Sequence, residues 1–421
     1  MKTSIYLNLI IFCCTLFFWS CDSSEIVNNG GDGTIDPPEK IDLTISEQRI
    51  AELSADLGAK FFALMMQEHA GDAEKTNFMI SPYSLNSTLA MLWNGAKGDT
   101  KAEIETVMGF DNEDSDIVNG YFKKVGNALL EIDPLTKLAI ANSIWYKKDA
   151  ILKSDFKESI EKWHNAEIKG VDFSLPTTKN EMNQWCSDNT NNLIKNVIEE
   201  TNASDLIYLM NALYFKGQWM QDYEFKESNT RLLEFTLEDE SKTTVPIMNQ
   251  RNHLRQVENE VFTGVSLPFG NNAFSMRLFL PQEGVSLNEM VSELATPGYH
   301  ASSEEWEIGA INLFMPKFKI AYKHSYNDVL TKMGMEKTFS GEGDYSGAFE
   351  GLDMSVSNVE QHTFLEVNEK GAEAAAVTVV NGTTAPLFRA VVFNRPFVFQ
   401  IRENSTGCVL FMGRVGNPAM Q

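Results

Sequence analysis

The sequence predicts a single large domain of the α+β class that extends over residues 44–421. Helical periodicity dominates its first part, where apolar residues recur at three- and four-residue spacing between Ile50 and Leu64. Strand patterns dominate the last third, where two apolar segments flank a polar turn at Asn404–Gly407. The sequence shows no internal repeat and no second linker, so nothing divides this region into separate domains.

The elements between these two ends alternate between helix and strand. A second helix is predicted after Ser81, because serine is a favoured N-cap and Pro82 fits the first helical position. Gly95 marks the end of this helix. A further helix is expected over Asn180–Ile198, followed by an apolar strand-like segment at Asp205–Trp219.

Composition limits the function classes. The chain has 421 residues, of which 43% are apolar, so it can bury a large core. Its 58 acidic and 35 basic residues give a net charge of −23, whereas nucleic-acid binding requires clustered lysine and arginine. We therefore expect no nucleic-acid partner and assign the acidic surface to solubility.

The N-terminus resembles a bacterial lipoprotein signal peptide over residues 1–20, because the apolar stretch Ile5–Trp19 is too short for a transmembrane helix. The resemblance makes Cys21 the lipid-attachment residue. Residues 21–43, rich in Gly, Pro and Asp, would then form a flexible tether. The protein would be exported and lipid-anchored to the bacterial outer membrane, facing the periplasm or the cell surface. Because bulky aromatic residues precede the cysteine, plain secretion and an uncleaved anchor remain alternatives.

Catalytic and metal-binding signatures are not found in the sequence. The six histidines show no metal-ligand spacing, and there is no G-x-S-x-G elbow or glycine-rich phosphate loop. We therefore expect no metal ion, no cofactor and no enzymatic activity. A dispersed Ser/His/Asp triad, which has no local signature, is the remaining catalytic alternative. Cys186 and Cys408 are predicted to be small core residues.

Five segments between Asn77 and Pro418 resemble the serpin family in order and spacing: NFMISPYSL, GAKGDT, NALYFKGQW, EVNEKGAEAAA and VFNRPFVFQIRE…VLFMGRVGNP. The resemblance implies the serpin fold, with three β-sheets, eight to nine helices and an exposed reactive-centre loop at about residues 369–390. It also implies a monomer that binds target serine proteases, with papain-like cysteine proteases as a further class of target.

In inhibitory members of this family, a protease cleaves the loop and forms an acyl-enzyme, after which the loop inserts as a new strand in the central sheet. The resemblance places the hinge of this movement at Glu369, Gly371, Ala372, Glu373, Ala374, Ala375 and Ala376.

The hinge sequence suits insertion because side chains alternate across a sheet with period two. Counted from Gly371, one face of the inserted strand would carry Ala372, Ala374 and Ala376, with neither charge nor bulk. Glu373, the single charge, would fall on the opposite face. Non-inhibitory serpins with a binding or storage role often have bulky, charged or proline residues here. Such a role and cysteine-protease inhibition remain the alternatives to serine-protease inhibition.

The bait residues are expected about fourteen positions after Gly371. This places the cleaved bond after Ala385 or, because many proteases cut poorly before Pro386, after Thr384. Both residues are small and uncharged, and they fit the shallow primary pocket of elastase-like or subtilisin-like proteases.

Five further residues match family positions beneath the main sheet and at its upper end: Ser81, Ser84, Asn211, Gln361 and Trp219. Gln361 stands where many members have a histidine, with His362 one place later. Since an amide does not titrate, we expect no pH-dependent opening at this position. Ser81 as a plain helix cap and Trp219 as a plain core residue are the simpler interpretations.

Overall fold

A computed structural model describes residues 36–420 apart from 112, 191, 193, 196–197, 300–305, 351–354 and 372–387. From Pro37 onward the chain forms one compact unit. The predicted signal peptide over residues 1–20, Cys21 and most of the predicted tether lie outside the described residues, so these remain predictions. Among the residues that are described, no helix is both long enough and apolar enough to cross a membrane.

Six of the described helices lie between Ile45 and Asn189, and three more lie between Leu287 and Ser340. The described part contains nine α-helices: α1 (Ile45–Glu68), α2 (Pro82–Gly95), α3 (Gly98–Met108), α4 (Ser115–Glu131), α5 (Ser154–His164), α6 (Pro176–Asn189), α7 (Leu287–Leu294), α8 (Asn327–Met333) and α9 (Glu336–Ser340). This number agrees with the predicted eight to nine.

Strands fill most of the remaining chain. They are β1 (Asn77–Ile80), β2 (Thr136–Lys147), β3 (Ile151–Leu152), β4 (Glu167–Val171), β5 (Ile207–Gly217), β6 (Arg231–Thr236), β7 (Lys242–Glu258), β8 (Phe262–Pro268), β9 (Phe274–Pro281), β10 (Glu307–Pro316), β11 (Phe318–Ser325), β12 (Phe349–Glu350), β13 (Val356–Val367), β14 (Arg389–Val392), β15 (Phe397–Glu403) and β16 (Val409–Val415).

These strands form three sheets, as predicted. The large sheet has nine strands in the order β1-β16-β15-β9-β8-β7-β10-β14, with β6 paired to β7. The central sheet has five strands in the order β11-β13-β5-β2-β4, and β12 pairs with β3. The C-terminal strands β15 and β16 are buried at every residue, which confirms the interpretation of their apolar sequence.

The main core lies around α2, which packs against α1 and contacts both β16 of the large sheet and β5 of the central sheet. Thirteen of its fourteen residues are therefore buried, including polar ones such as Ser84 and Asn86. A smaller apolar cluster lies around α6, where Trp185 and Cys186 pack with Met210 of β5. Cys186 and Cys408 are both buried and free, as expected of core cysteines.

Two helix boundaries show how local chemistry sets the fold. Thr44 caps α1 in a capping box with Glu47, at the residue where the domain was predicted to begin. The prediction of a helix over Asn180–Ile198 was wrong at both ends, since α6 runs from Pro176 to Asn189. Thr190 leaves the helical backbone conformation and donates its hydroxyl hydrogen bond to the Cys186 carbonyl at 2.7 Å.

Because His164 is buried in its neutral form, we expect the free energy of unfolding to fall in acid. His164 is 6% exposed, with its Nε2 atom 3.1 Å from Asn119 Oδ1, and burial lowers its pKa from 6.5 to about 4. The unfolded chain takes up a proton first, so the full stability is present above about pH 6.5 and declines toward pH 4 by up to about 3 kcal/mol. His164→Gln should flatten this decline in the thermal midpoint, whereas the exposed control His253→Gln should not. Equal slopes in all three proteins would contradict the assignment.

Candidate functional site

The two middle strands of the central sheet run in the same direction and separate at one end. β13 pairs with β5 in parallel, and the last pair joins Phe364 to Tyr214. Both strands then continue for three more residues, to Val367 and Gly217. The ladder between them therefore ends before the strands do.

A tight turn at the end of β13 reverses the chain into this divergence. In this hinge turn, Asn368–Gly371, the Asn368 N–H donates to the Gly371 carbonyl at 2.9 Å and the Gly371 N–H donates to the Asn368 carbonyl at 3.2 Å. Gly371 forms an antiparallel bridge with Asn368 on one side and with Gln218, just after β5, on the other. Its position is that of the first residue of a strand between β13 and β5.

Only glycine fits this position. Gly371 has a φ of 129°, a region that side chains other than glycine rarely adopt. A Cβ atom here would lie 2.2 Å from the Gly217 carbonyl oxygen and 2.8 Å from the Trp219 amide nitrogen. The family resemblance predicted a hinge at Gly371; the structure shows that a side chain would not fit there, and the hinge movement stays a prediction.

The carboxylate of Glu369 fastens the hinge turn to the large sheet. It is 4% exposed and lies 2.7 Å from Lys317 Nζ, and it accepts a hydrogen bond from the Thr230 hydroxyl at 2.7 Å. Burial acts to raise the pKa of Glu369, but the hydrogen bonds from Lys317 and Thr230 outweigh it and leave the pKa below its ordinary value. We call these three residues the latch.

Trp219 covers the hinge turn from the side of β5. Its indole N–H donates to the Asn368 carbonyl at 3.0 Å, and its backbone N–H donates to the Lys370 carbonyl at the same distance. The ring is 2% exposed and stacks on Phe269 at a centroid separation of 4.5 Å. Trp219 is thus both a core residue and a direct contact of the hinge turn.

Further along the central sheet, away from the hinge turn, three side-chain amides lie in register across neighbouring strands. Asn142 of β2, Asn211 of β5 and Gln361 of β13 are paired positions, and we call them the amide row. The Asn211 Nδ2 group donates to Asn142 Oδ1 at 2.8 Å and to the Ala141 carbonyl at 3.2 Å. Its Oδ1 atom is buried and has no hydrogen-bond partner among the described residues.

Gln361 connects the amide row to α2. Its Oε1 atom accepts from the Ser81 N–H at 2.6 Å and from the Tyr326 hydroxyl at 2.7 Å, while its Nε2 group donates to the Ser81 carbonyl at 3.2 Å. The Ser81 hydroxyl accepts from the Ser84 N–H at 3.2 Å and caps the helix. The simpler interpretation of Ser81 is therefore accurate, and its backbone is in addition the anchor of Gln361.

The histidine one place later takes no part in this contact. Successive side chains of a strand point to opposite faces, so His362 faces away from α2. Its Nε2 atom lies 3.0 Å from Glu360 Oε1, and the ring is 1% exposed. The β13 position of the amide row is thus occupied by Gln361, an amide that does not titrate.

The far end of the predicted loop is also fixed. β14 begins at Arg389, which pairs with Ile311 of β10 and forms a salt bridge with Glu258. The ring of Phe388 meets the His253 ring edge to face at 5.9 Å.

The structure thus describes both ends of the predicted loop and not the residues between them. The predicted hinge residues from Ala372 to Ala376 and the predicted bait residues Thr384, Ala385 and Pro386 lie outside the described residues and stay predictions.

Sequence reasoning missed four residues of this site: Asn142, Tyr326, Lys317 and Thr230. Each contacts a predicted residue from a strand or connection that is distant in sequence, by 69 positions for Asn142 and Asn211 and by 139 for Thr230 and Glu369. No local pattern identifies such partners, because only the register of the sheets brings them together.

Comparison with known proteins agrees with this architecture. The family model described as "Serpin (serine protease inhibitor)" matches residues 54–418. Human neuroserpin is 29% identical over 388 residues, which cover 89% of this chain and 92% of the relative.

Two solved structures are also similar. That of tengpin, a thermophilic serpin in the native state, has a TM-score of 0.81 and 29% identity, covering 91% of this chain and 97% of the other. That of human thyroxine-binding globulin, solved in complex with thyroxine, has a TM-score of 0.79 and 26% identity, covering 89% of this chain and 99% of the other. Since the family model covers most of the sequence and the structures agree over the same length, the chain belongs to the serpin family.

Proposed function

We propose that this protein inhibits serine proteases as a suicide substrate. The observation that carries the proposal is the position of Gly371, which bridges the ends of the two diverging parallel strands β5 and β13. A strand that began at Gly371 would run antiparallel to both neighbours. Insertion would replace one parallel pairing by two antiparallel pairings, which are slightly more stable per residue.

The chemical step belongs to the protease. Its serine hydroxyl adds to the carbonyl of the bait residue, and the peptide bond breaks. The new amino terminus is on the segment that leads into β14. The acyl group stays on the serine as an ester. Insertion of residues after Gly371 then carries the ester-linked protease away from the open end of the sheet before water hydrolyses the ester.

The composition of the loop supports this order of events. Ala372, Ala374 and Ala376 would occupy one face of the inserted strand, and they bring no charge that would need a partner when buried. As the two strands part, the buried hydroxyls and amides around the amide row can exchange hydrogen bonds, and the Asn211 Oδ1 atom is a free acceptor among the described residues.

The specificity that we propose is for proteases with a shallow primary pocket. Cleavage after Thr384 or Ala385 presents a small uncharged residue. The contact between Phe388 and His253 and the pairing of Arg389 with Ile311 hold the chain at the C-terminal end, so the bond that is cut must precede Phe388. Elastase-like and subtilisin-like proteases meet these conditions, and papain-like cysteine proteases are the alternative targets.

We further propose that the inhibitor acts outside the cytoplasm as a monomer. The predicted signal over residues 1–20 and the predicted lipid on Cys21 would place the domain at the outer membrane on the tether formed by residues 21–43. The proposal requires no metal ion, no cofactor and no catalytic step by this chain.

A carrier role is the second candidate function. It is suggested by the similarity to human thyroxine-binding globulin, which was solved with thyroxine bound. A carrier does not need to trap proteases, so a protease would cleave it without forming a stable covalent complex.

The central test uses a charge on the inward face of the hinge. Ala372→Arg should convert the inhibitor into a substrate, because insertion would bury an unpaired cation. The matched control Glu373→Arg places the same charge on the outward face and should keep trapping. The measurement is the fraction of an elastase-like or subtilisin-like protease found in a complex that survives SDS. Equal trapping by both variants would refute insertion, and no SDS-stable complex with the wild type would favour the carrier role.

Loss of the latch should weaken the native state. Glu369→Gln keeps the size of the side chain but removes the charge that Lys317 and Thr230 contact, and hydrogen bonds to charged groups contribute about 1.5–3 kcal/mol. We expect a lower thermal midpoint of the uncleaved protein and faster loss of trapping on warming. Glu366→Gln is the control, since Glu366 also faces a lysine but at 4.0 Å and on the exposed surface. Equal behaviour of the two variants would contradict a special role for Glu369.

A further inference from the structure

A row of polar side chains crosses one face of the large sheet, away from the hinge. The register pairs Arg255 of β7 with Ser266 of β8, Ser266 with Arg277 of β9, and Arg277 with Gln400 of β15. Directly opposite residues point to the same face, so these four side chains share it. Polar side chains on this face need an explanation, because Ser266, Arg277 and Gln400 are all buried.

Arg277 is the least expected member of this row. It is only 8% exposed, and its guanidinium lies 4.4 Å from the ring centroid of Trp306, which is also buried. Its Nε atom is buried without a hydrogen-bond partner in the described part of the chain. None of the described carboxylates forms a salt bridge with it.

Two further arginines act on Arg277. Burial and the charges of Arg402 and Arg255 lower the pKa of the Arg277 guanidinium, and Tyr299 offsets part of this effect. Arg402 is 5% exposed and lies on β15, two residues after Gln400, the partner of Arg277. Arg255 is exposed and donates to the Trp306 carbonyl at 3.4 Å. A buried cation is costly unless an opposite charge or several hydrogen bonds compensate it.

We infer that Arg277 and Arg255, with the Ser266 hydroxyl between them and the Trp306 ring beside them, form a binding site for a small oxyanion. Guanidinium groups recognise planar or tetrahedral oxyanions with two parallel N–H···O bonds, so the ligand class comprises a carboxylate, sulfate or phosphate group. Exposed Arg255 marks the side from which the anion enters. This inference does not depend on the proposed function, because the site is separate from the hinge, the latch and the loop.

Two measurements on the full chain test the inference. The first is calorimetric titration of sulfate, phosphate and acetate into the protein at constant ionic strength, with chloride as the reference anion. At least one oxyanion should bind, and Arg277→Met should weaken that binding by about tenfold to a hundredfold, the loss expected for charged hydrogen bonds. Arg231→Met removes an exposed arginine of β6 and should leave the affinity unchanged. Absence of binding, or equal loss in both variants, would overturn the inference.

The second measurement separates an external anion from an acidic side chain of this chain as the partner. In buffer without oxyanions, Arg277→Met should raise the thermal midpoint, because it removes a buried cation that lacks a counter-charge. If a carboxylate of the protein already paired with Arg277, the same variant would leave that carboxylate buried and alone, and the midpoint would fall by several degrees. A fall in the midpoint would therefore indicate an internal partner and refute the external site.

Discussion

The parallel pairing of β5 and β13 is the constraint on which the rest of this structure depends. A strand that leaves the end of β13 through a tight turn runs opposite to β13 and, because β5 is parallel to β13, opposite to β5 as well. The structure places the turn Asn368–Gly371 where the two strands diverge, and Gly371 already touches both ends. A segment that entered here would meet the ends of both strands beyond their last pair. The geometry of the native sheet would therefore set both the position and the direction of the proposed sixth strand.

The polar residues around this sheet stabilise the native arrangement through hydrogen bonds that can be exchanged for others. The amide row and the bond between Gln361 and Ser81 join three strands to α2 by hydrogen bonds, which can be exchanged, whereas an apolar contact at the same place could only be lost. The latch adds polar contacts at the end of the sheet, where Glu369 binds Lys317, between β10 and β11, and Thr230, just before β6. Interactions of this kind would suit the proposed inhibitor, which has to remain closed until it is cut.

The sequence predicted those parts of the fold and site that local patterns determine. The cap at Ser81 and the buried C-terminal strands follow from residue type and periodicity, and the structure agrees with both. The hinge at Gly371 came from the family resemblance, and its movement stays a prediction. The contacts of Gln361 with Ser81 and of Glu369 with Lys317 could not be predicted, because they depend on sheet register across the whole domain. The helix predicted over Asn180–Ile198 fails for a related reason: its periodicity continues, but the backbone turns out of the helix at Thr190.

The most direct test of the account is the stability of the protein before and after its loop is cut. If the segment after Gly371 enters between β5 and β13, the protein cleaved between Thr384 and Pro386 should unfold at a much higher temperature than the intact protein. The backbone amides that follow Gly371 should at the same time become protected from hydrogen exchange. A cleaved protein with the same unfolding temperature, whose amides in that segment still exchange freely, would contradict insertion and the inhibitory function that rests on it.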